Sequence, residues 1–279
     1  MSVVEQPLLS IVTICRNHDA GLRRTLASIA EQSAAATPGR IEVIVQDGAS
    51  TDASVETASS FSATLPLTVT SEPDRGVYDA MNKGWRTARG RWVQFLNAGD
   101  TLSDPEALHA LLAALEGLGA SEADWLVARS GMLDDEGRLV RLSENVPHRH
   151  WRHALGLRMH AHPSTVMTRD LLVRLDGFSE AYRSAGDFDL VLRASLASRP
   201  AVLDRRIADV EPAGLSGREM TELPGLLSAI RRDRRVGRGP FGVADSVWSS
   251  VFAWRWRRAL DEQRQQQDRE QRQQLRQPA

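Results

Sequence analysis

An α/β fold, with a mostly parallel sheet flanked by helices and a helical C-terminal extension, is predicted by three observations. Apolar, β-branched runs alternate with helix-period runs from residue 8 to about residue 118. The apolar runs are continuous, as in strands buried on both faces. Each run ends in polar residues, at the edge where open α/β sheets bind their ligands.

The elements follow in order. "LLSIVTIC" (8–15) reads as the first buried strand. In the next stretch Leu22, Leu26 and Ile29 recur at helical spacing among charges. "IEVIVQDGAST" (41–51) is a second strand running into a polar turn. "DASVETASSF" reads as a helix with Asp52 near its N-cap. "LPLTVTSE" (65–72) is a third strand and "VYDAMNKGWRTA" (77–88) a helix. "RWVQFLNAGD" (91–100) is a fourth strand, and residues 104–118 form a helix with Pro105 at its favoured first position. "DWLVARSGMLDDEGRLVRL" gives two strands around an Asp-Glu-Gly hairpin turn. After residue 163 come a strand, a helix, a turn and a helix from about residue 187.

Bulk properties narrow the function. The 279 residues are 42% hydrophobic and 25% charged, as in ordinary globular proteins. A net charge of -1 supplies no field for nucleic acid. A lone cysteine, Cys15, excludes a disulfide framework and points to a reducing compartment. The N-terminus has no basic and apolar signal pattern, and no window reaches a spanning length. A cytoplasmic protein is expected, with a contact at the inner face of the cell membrane left open.

The strand ends gather Asn17, Asp47, Asp74 and Asp100. Asp47 is placed to meet a ligand or to build an Asx-turn at "DGAS". Asp100 either meets a ligand or caps the turn before "TLSDPE". The segment "SEPDRGVYDAMNKG" (71–84) holds Asp74, Arg75 and Lys83, the sole lysine of the chain. Asp79 and Lys83 have the spacing of an ordinary helical ion pair, which leaves "PDRG" unexplained, and Asn82 is placed to orient the loop. Asp187 in "AGDFDL" stands where an N-cap of the helix from about residue 187 would be.

Taken together, "LLSIVTICRN", "IEVIVQDGASTD", "SEPDRGVYDAMNKGW", "RGRWVQFLNAGD" and "GFSEAYRSAGDFDLVLR" resemble the family 2, GT-A-fold glycosyltransferases, in particular bacterial exopolysaccharide transferases of the colanic-acid type. The resemblance runs from about residue 8 to residue 217, closing on "EPAGLSG". It implies a catalytic domain over residues 1–217 and a separate extension over residues 218–279. It implies a nucleoside-diphosphate sugar donor, a glycan or lipid-linked acceptor, and polysaccharide assembly. Thr13, Arg16, Asn17 and Asp47 would line the nucleotide pocket. Asp74, Arg75, Lys83 and Asn97 would meet ribose, diphosphate or sugar. A cation there would stabilise the charge of the leaving group.

The resemblance also implies Mg²⁺ or Mn²⁺ at Asp100. Asn97 or Gly99 stands where relatives carry a second acid, which weakens that site. Asp187 would be the base of an inverting displacement; a retaining route needs a second, opposed carboxylate. Gly186 replaces an acid that relatives often carry, and Asp189 would hold the motif in place. His162 matches a position near the acceptor and the donor phosphates. With His160 it forms a His-x-His pair lacking a third zinc ligand, and His148, His150 and His153 are expected on a solvated loop.

In the extension, Trp248, Phe252 and Trp256 share a face beside arginines, the pattern of an interfacial helix or of one packed on the domain or a second subunit. The Gln/Arg-rich end reads as solvated. Two other functions bear on the same residues. A non-catalytic nucleotide-binding or scaffold domain would fit the missing acids. A dinucleotide-dependent oxidoreductase fails, because no Gly-x-Gly-x-x-Gly follows the first strand.

Overall fold

The computed structural model describes residues 6–32, 39–119, 123–134, 136–143, 146–182, 184–210, 217–234, 236 and 258. The chain divides into two compact units, Met1–Gly214 and Leu215–Ala279. In the second unit the described structure is a helix over Gly217–Asp233 with Pro224 inside it. The "EPAGLS" segment and the Trp248, Phe252 and Trp256 face lie outside the described residues.

The first unit is built on one sheet. Its strands are β1 (Leu9–Cys15), β2 (Ile41–Asp47), β3 (Leu67–Ser71), β4 (Trp92–Phe95), β5 (Thr101–Leu102), β6 (Trp125–Leu133), β7 (Leu139–Leu142), β8 (Thr165–Thr168) and β9 (Ala201–Val210). Their order is β3-β2-β1-β4-β8-β6-β9-β5, with β7 paired to β6. The pairings among β1, β2, β3 and β4 are parallel, as the strand–helix alternation requires. Beyond β4 the sheet turns mixed: β8 runs antiparallel to both β4 and β6, while β9 is parallel to β6.

Helices cover both faces. The α1 (Asp19–Ala30) and α4 (Ala107–Gly117) helices bury Leu22, Leu26, Leu108 and Leu111 against Leu9 and Ile11 of β1. The α3 (Val77–Thr87) and α7 (Gly186–Ala197) helices bury Met81, Trp85, Leu190 and Val191 on the other side, with Val12. Leu9, Ile11 and Val12 thus divide between the faces as the two-residue strand period demands. Each such buried side chain contributes roughly 1.5–3 kcal/mol. The remaining helices are α2 (Ser54–Ser60), α5 (His150–Ala154) and α6 (Arg169–Arg174).

Two expectations shift. The α4 helix starts at Ala107, so Pro105 precedes it and Asp104 Oδ1 accepts from Glu106 N at 3.0 Å. The β9 strand was not legible: Asp204, Arg205 and Arg206 interrupt its apolar pattern, and its pairing with β6 shifts register twice.

Candidate active site

A cleft of about 520 Å³ opens at the carboxyl ends of β1 and β4. Arg16, Asp74, Asn97, Asp100 and His162 line it, with Gly76 and Val77 at the start of α3. Three loops converge there because Gly48 has no side chain. A Cβ at Gly48 would run into Asp74 Oδ2, and would lie 3.2 Å from Arg16 Cδ. Arg16 Nη1 and Asp74 Oδ1 are 3.8 Å apart, and Asp74 Oδ1 accepts from Gly76 N at 2.9 Å.

On the β4 side of the cleft, His162 Nε2 faces two groups. Asp100 Oδ2 is 3.2 Å away and Asn97 Nδ2 is 3.0 Å away. Asn97 Oδ1 is buried with no hydrogen-bond partner among the described residues. A buried carbonyl oxygen left so is costly unless a ligand or water completes it. Among the described residues, no three His, Cys, Asp or Glu side chains converge to hold a metal ion. Asp100 and the Asn97 oxygen do fit a hard cation that takes its other ligands from phosphate and water.

His162 also lines a small notch with Asp187, Phe95, Thr165, Met167 and Phe178. Asp187 sits in the first turn of α7, one residue past the helix start, so Ala185 and not Asp187 is the N-cap. Burial pushes its carboxyl above the usual range. The nearby His162 charge and the N–H of Phe188, at 2.8 Å, pull the other way.

Gly186 has a local explanation. A Cβ there would lie 2.8 Å from the Tyr78 ring, so an acid at this position would require Tyr78 to shift. Burial, then the charge of Asp187, push the Tyr78 hydroxyl up from its ordinary value. Two further devices hold the approach to Asp187. Asn82 exchanges hydrogen bonds with Phe178, Nδ2 to O and N to Oδ1, both at 2.9 Å. Buried Asp189 holds Arg193 at 2.8 Å, and Arg193 donates to Gly177 O at 2.7 Å and to Leu175 O.

Several expected ligands stand outside the cleft walls. Thr13 is fully buried within β1, two residues short of the strand end. Asn17, at a positive φ of 49°, ties loops together: its N–H reaches Ser50 Oγ at 2.8 Å and its Oδ1 accepts from Thr51 N at 2.7 Å. Asp47 is buried and builds the Asx-turn, accepting from Ser50 N at 2.9 Å, Ser71 Oγ at 2.6 Å and Ser50 Oγ. Arg75 pairs with Asp79 and Glu180, each at 2.9 Å. Lys83 donates to Pro73 O at 2.7 Å and pairs with Glu72 at 3.2 Å and Asp79 at 3.7 Å. "PDRG" is therefore a loop tied down by α3, with Asp74 alone of its charged residues lining the cleft.

The histidines also differ from expectation. His148, His153 and His160 form a cluster with ring centroids 5.0–6.2 Å apart rather than a solvated loop. His148 Nδ1 and His160 Nε2 are 2.9 Å apart, and His153 Nε2 meets Phe188 O at 3.0 Å. Burial holds His148 and His153 down to about 4. Their spacing in the sequence has no metal-site pattern; His153, on α5, and His160 are buried, and His148 is partly so.

Comparison with known proteins places this geometry. A glycosyltransferase of Mycobacterium tuberculosis, itself uncharacterised, is 30% identical over 241 residues, 85% of this chain and 87% of that protein. The 1–349 portion of S. aureus TarS superposes with a TM-score of 0.62 bound to UDP and 0.66 bound to UDP-GlcNAc, at 22% and 19% identity. Those superpositions cover 80% and 88% of this chain, which spans only 64% and 71% of the TarS structures. A mannosyltransferase from Pyrobaculum calidifontis, bound to GDP-Man and Mn²⁺, superposes with a TM-score of 0.62 at 17% identity, over 89% of this chain and 70% of its own. The fold is thus the GT-A fold of these transferases. Residues 10–170 match the sequence pattern of Glycosyl transferase family 2, and the chain belongs to that family.

Proposed function

We propose that the protein is an inverting glycosyltransferase that moves a sugar from a nucleoside-diphosphate sugar to a hydroxyl of a glycan or lipid-linked acceptor. Polysaccharide or glycolipid assembly on the cytoplasmic side of the membrane is its setting. One observation carries the reading: a carboxyl raised by burial, Asp187, adjoins the cleft through a shared wall residue, His162. The acceptor oxygen attacks the anomeric carbon as the bond to the diphosphate breaks, and the hydroxyl proton passes to Asp187. One displacement inverts the centre, with no covalent sugar–enzyme intermediate.

The donor lies in the cleft, its diphosphate toward Arg16 and the first turn of α3, where Gly76 and Val77 present the positive end of the helix. Asp100 and Asn97 Oδ1 would hold Mg²⁺ or Mn²⁺, which when bound neutralises charge on the departing diphosphate. Asp74 reaches ribose or sugar hydroxyls, and His162 stands between donor phosphates and acceptor. Asp47, Asn17, Arg75 and Lys83 shape the pocket by holding its loops, and Thr13 backs it from within β1. The UDP, UDP-GlcNAc and GDP-Man held by the TarS and Pyrobaculum structures support donors of this class. Residues 1–217 form the catalytic domain in this reading, and residues 218–279 an appended extension.

The test is a thermal-shift panel of UDP-, GDP- and TDP-sugars with and without Mn²⁺, run on the native chain and on Asp187→Asn. A bound donor raises the melting temperature by mass action. The variant is expected to keep that shift and to lose about 10³-fold in turnover. Undiminished turnover in Asp187→Asn would remove Asp187 as the base. Donor shifts without turnover in the native chain would favour a non-catalytic nucleotide-binding domain.

A further inference from the structure

Between Glu144 and Asp170 the chain has no acidic residue, yet it carries Arg149, Arg152, Arg158 and Arg169. Within this stretch α5 has two unlike faces. One is fixed to α7: His153 and Ala154 are buried, His153 Nε2 meets Phe188 O at 3.0 Å, and His150 Nδ1 meets Ser195 Oγ at 2.8 Å. The other faces water. Arg149, Trp151 and Arg152 are exposed there, Trp151 at 53%. The Arg152 guanidinium lies 5.2 Å from the Trp151 ring centroid. Leu157 and Met159, just past the helix, and Leu196, next to Ser195 on α7, are exposed as well.

Single exposed apolar residues are ordinary. An exposed tryptophan between arginines, beside further exposed apolar side chains and without one acid in the stretch, has a more particular chemistry. Its ring favours an apolar medium while its N–H favours a wet one. Lipid–water boundaries satisfy both, and arginines beside them meet lipid phosphates.

We propose that residues 149–159 dock the protein on an anionic membrane surface, with Trp151 among the headgroups and Arg149 and Arg152 on lipid phosphates. This rests on the glycosyl-transfer reading and sharpens it, since it sets the acceptor at a bilayer. The two histidine bonds lay α5 along α7, and α7 carries Asp187 in its first turn. The docking face and the base therefore share one rigid support, which brings a lipid-linked hydroxyl and the carboxyl to a fixed relation. Charge selects the bilayer over a second copy of the chain. A two-fold dimer through this face would set arginines against arginines.

The test is vesicle flotation of the full chain, with phosphatidylcholine alone and with phosphatidylcholine plus phosphatidylglycerol. Binding is expected only to the anionic vesicles, weakening as salt is added. Arg149→Gln with Arg152→Gln is expected to lower partitioning about 30-fold, roughly fivefold per arginine. Trp151→Ser is expected to lower it further, with unchanged melting temperature, because these side chains are exposed. A parallel variant, Trp248→Ser with Trp256→Ser, tests the extension. The proposal is overturned by equal binding to neutral vesicles, by no loss in the residue 149–152 variants, or by loss in the extension variant alone. It is also overturned if Trp151→Ser converts a dimer to a monomer by light scattering. Hydrolysis of donor without vesicles reports separately on the active-site reading, so a failure of docking and a failure of that reading are told apart.

Discussion

The loops closing β1, β2 and β3 and the stretch from His148 to Asp189 both crowd polar side chains near the cleft, but they employ them differently. Around Asp47, polar groups are consumed internally: Ser50 and Ser71 donate to Asp47, Asn17 binds Thr51, and Lys83 closes on Pro73 and Glu72. In the later stretch the supporting bonds fall on backbone carbonyls at Gly177, Leu175 and Phe188, while Asp187 adjoins a notch with its carboxyl raised. The difference teaches that charge near a strand end can be spent on holding loops together. Asn97 Oδ1, by contrast, is buried without a hydrogen-bond partner among the described residues, and the Asp187 carboxyl, bonded to Phe188 N, lines a notch.

The largest effect that would test this contrast is expected at Arg193. Its removal takes from buried Asp189 its ion pair at 2.8 Å and releases the turn at Leu175 and Gly177. Arg193→Ala is expected to cost about 3–5 kcal/mol. Thermal unfolding by circular dichroism should show a fall of about 10 °C. A fall of only a degree or two would mean that the approach to Asp187 is held by something else.

Acid comes next. His148 and His153 are held at about 4 when folded, against about 6.5 unfolded, so the unfolded chain binds more protons between those values. Their contribution to stability is complete above about pH 6.5, is lost as pH falls toward 4, and levels off below. Asp187, pushed up by burial, acts in the opposite sense. Melting from neutral to mildly acidic pH should therefore be steeper in the native chain than in His153→Gln, with about 5 °C between the ends. Equal slopes would show that the cluster stays neutral in the unfolded chain too, or is already solvated when folded.

The smallest effect is expected at Lys83. If its ammonium serves only the Pro73 and Glu72 loop, Lys83→Met should change the donor KM by less than about threefold and the melting temperature by a degree or two. A tenfold rise in KM would break the comparison, because Lys83 would then reach the donor once it binds.

Much of the fold was legible because its signals are local. Continuous apolar runs marked β1, β2 and β4, and Leu22, Leu26 and Ile29 marked α1. The Asp134–Gly137 turn marked the β6–β7 hairpin. The β9 strand was hidden because what holds it is its distant partner, β6.

By itself, then, the sequence determined the strand–helix order, the parallel half of the sheet and the residue types at the strand ends, since each depends on near neighbours along the chain. Only the tertiary structure decided which of those residues line the cleft. It set Asp74, Asn97, Asp100 and His162 around one cavity and sealed Asp47 and Thr13 into the interior. It filled the space beside Gly186 with Tyr78, and it gathered His148, His153 and His160, with His153 bonded to Phe188 O. Those outcomes rest on contacts that reach from His153 to His160 and from Tyr78 to Gly186, where packing and hydrogen-bond satisfaction, not local propensity, choose the partner.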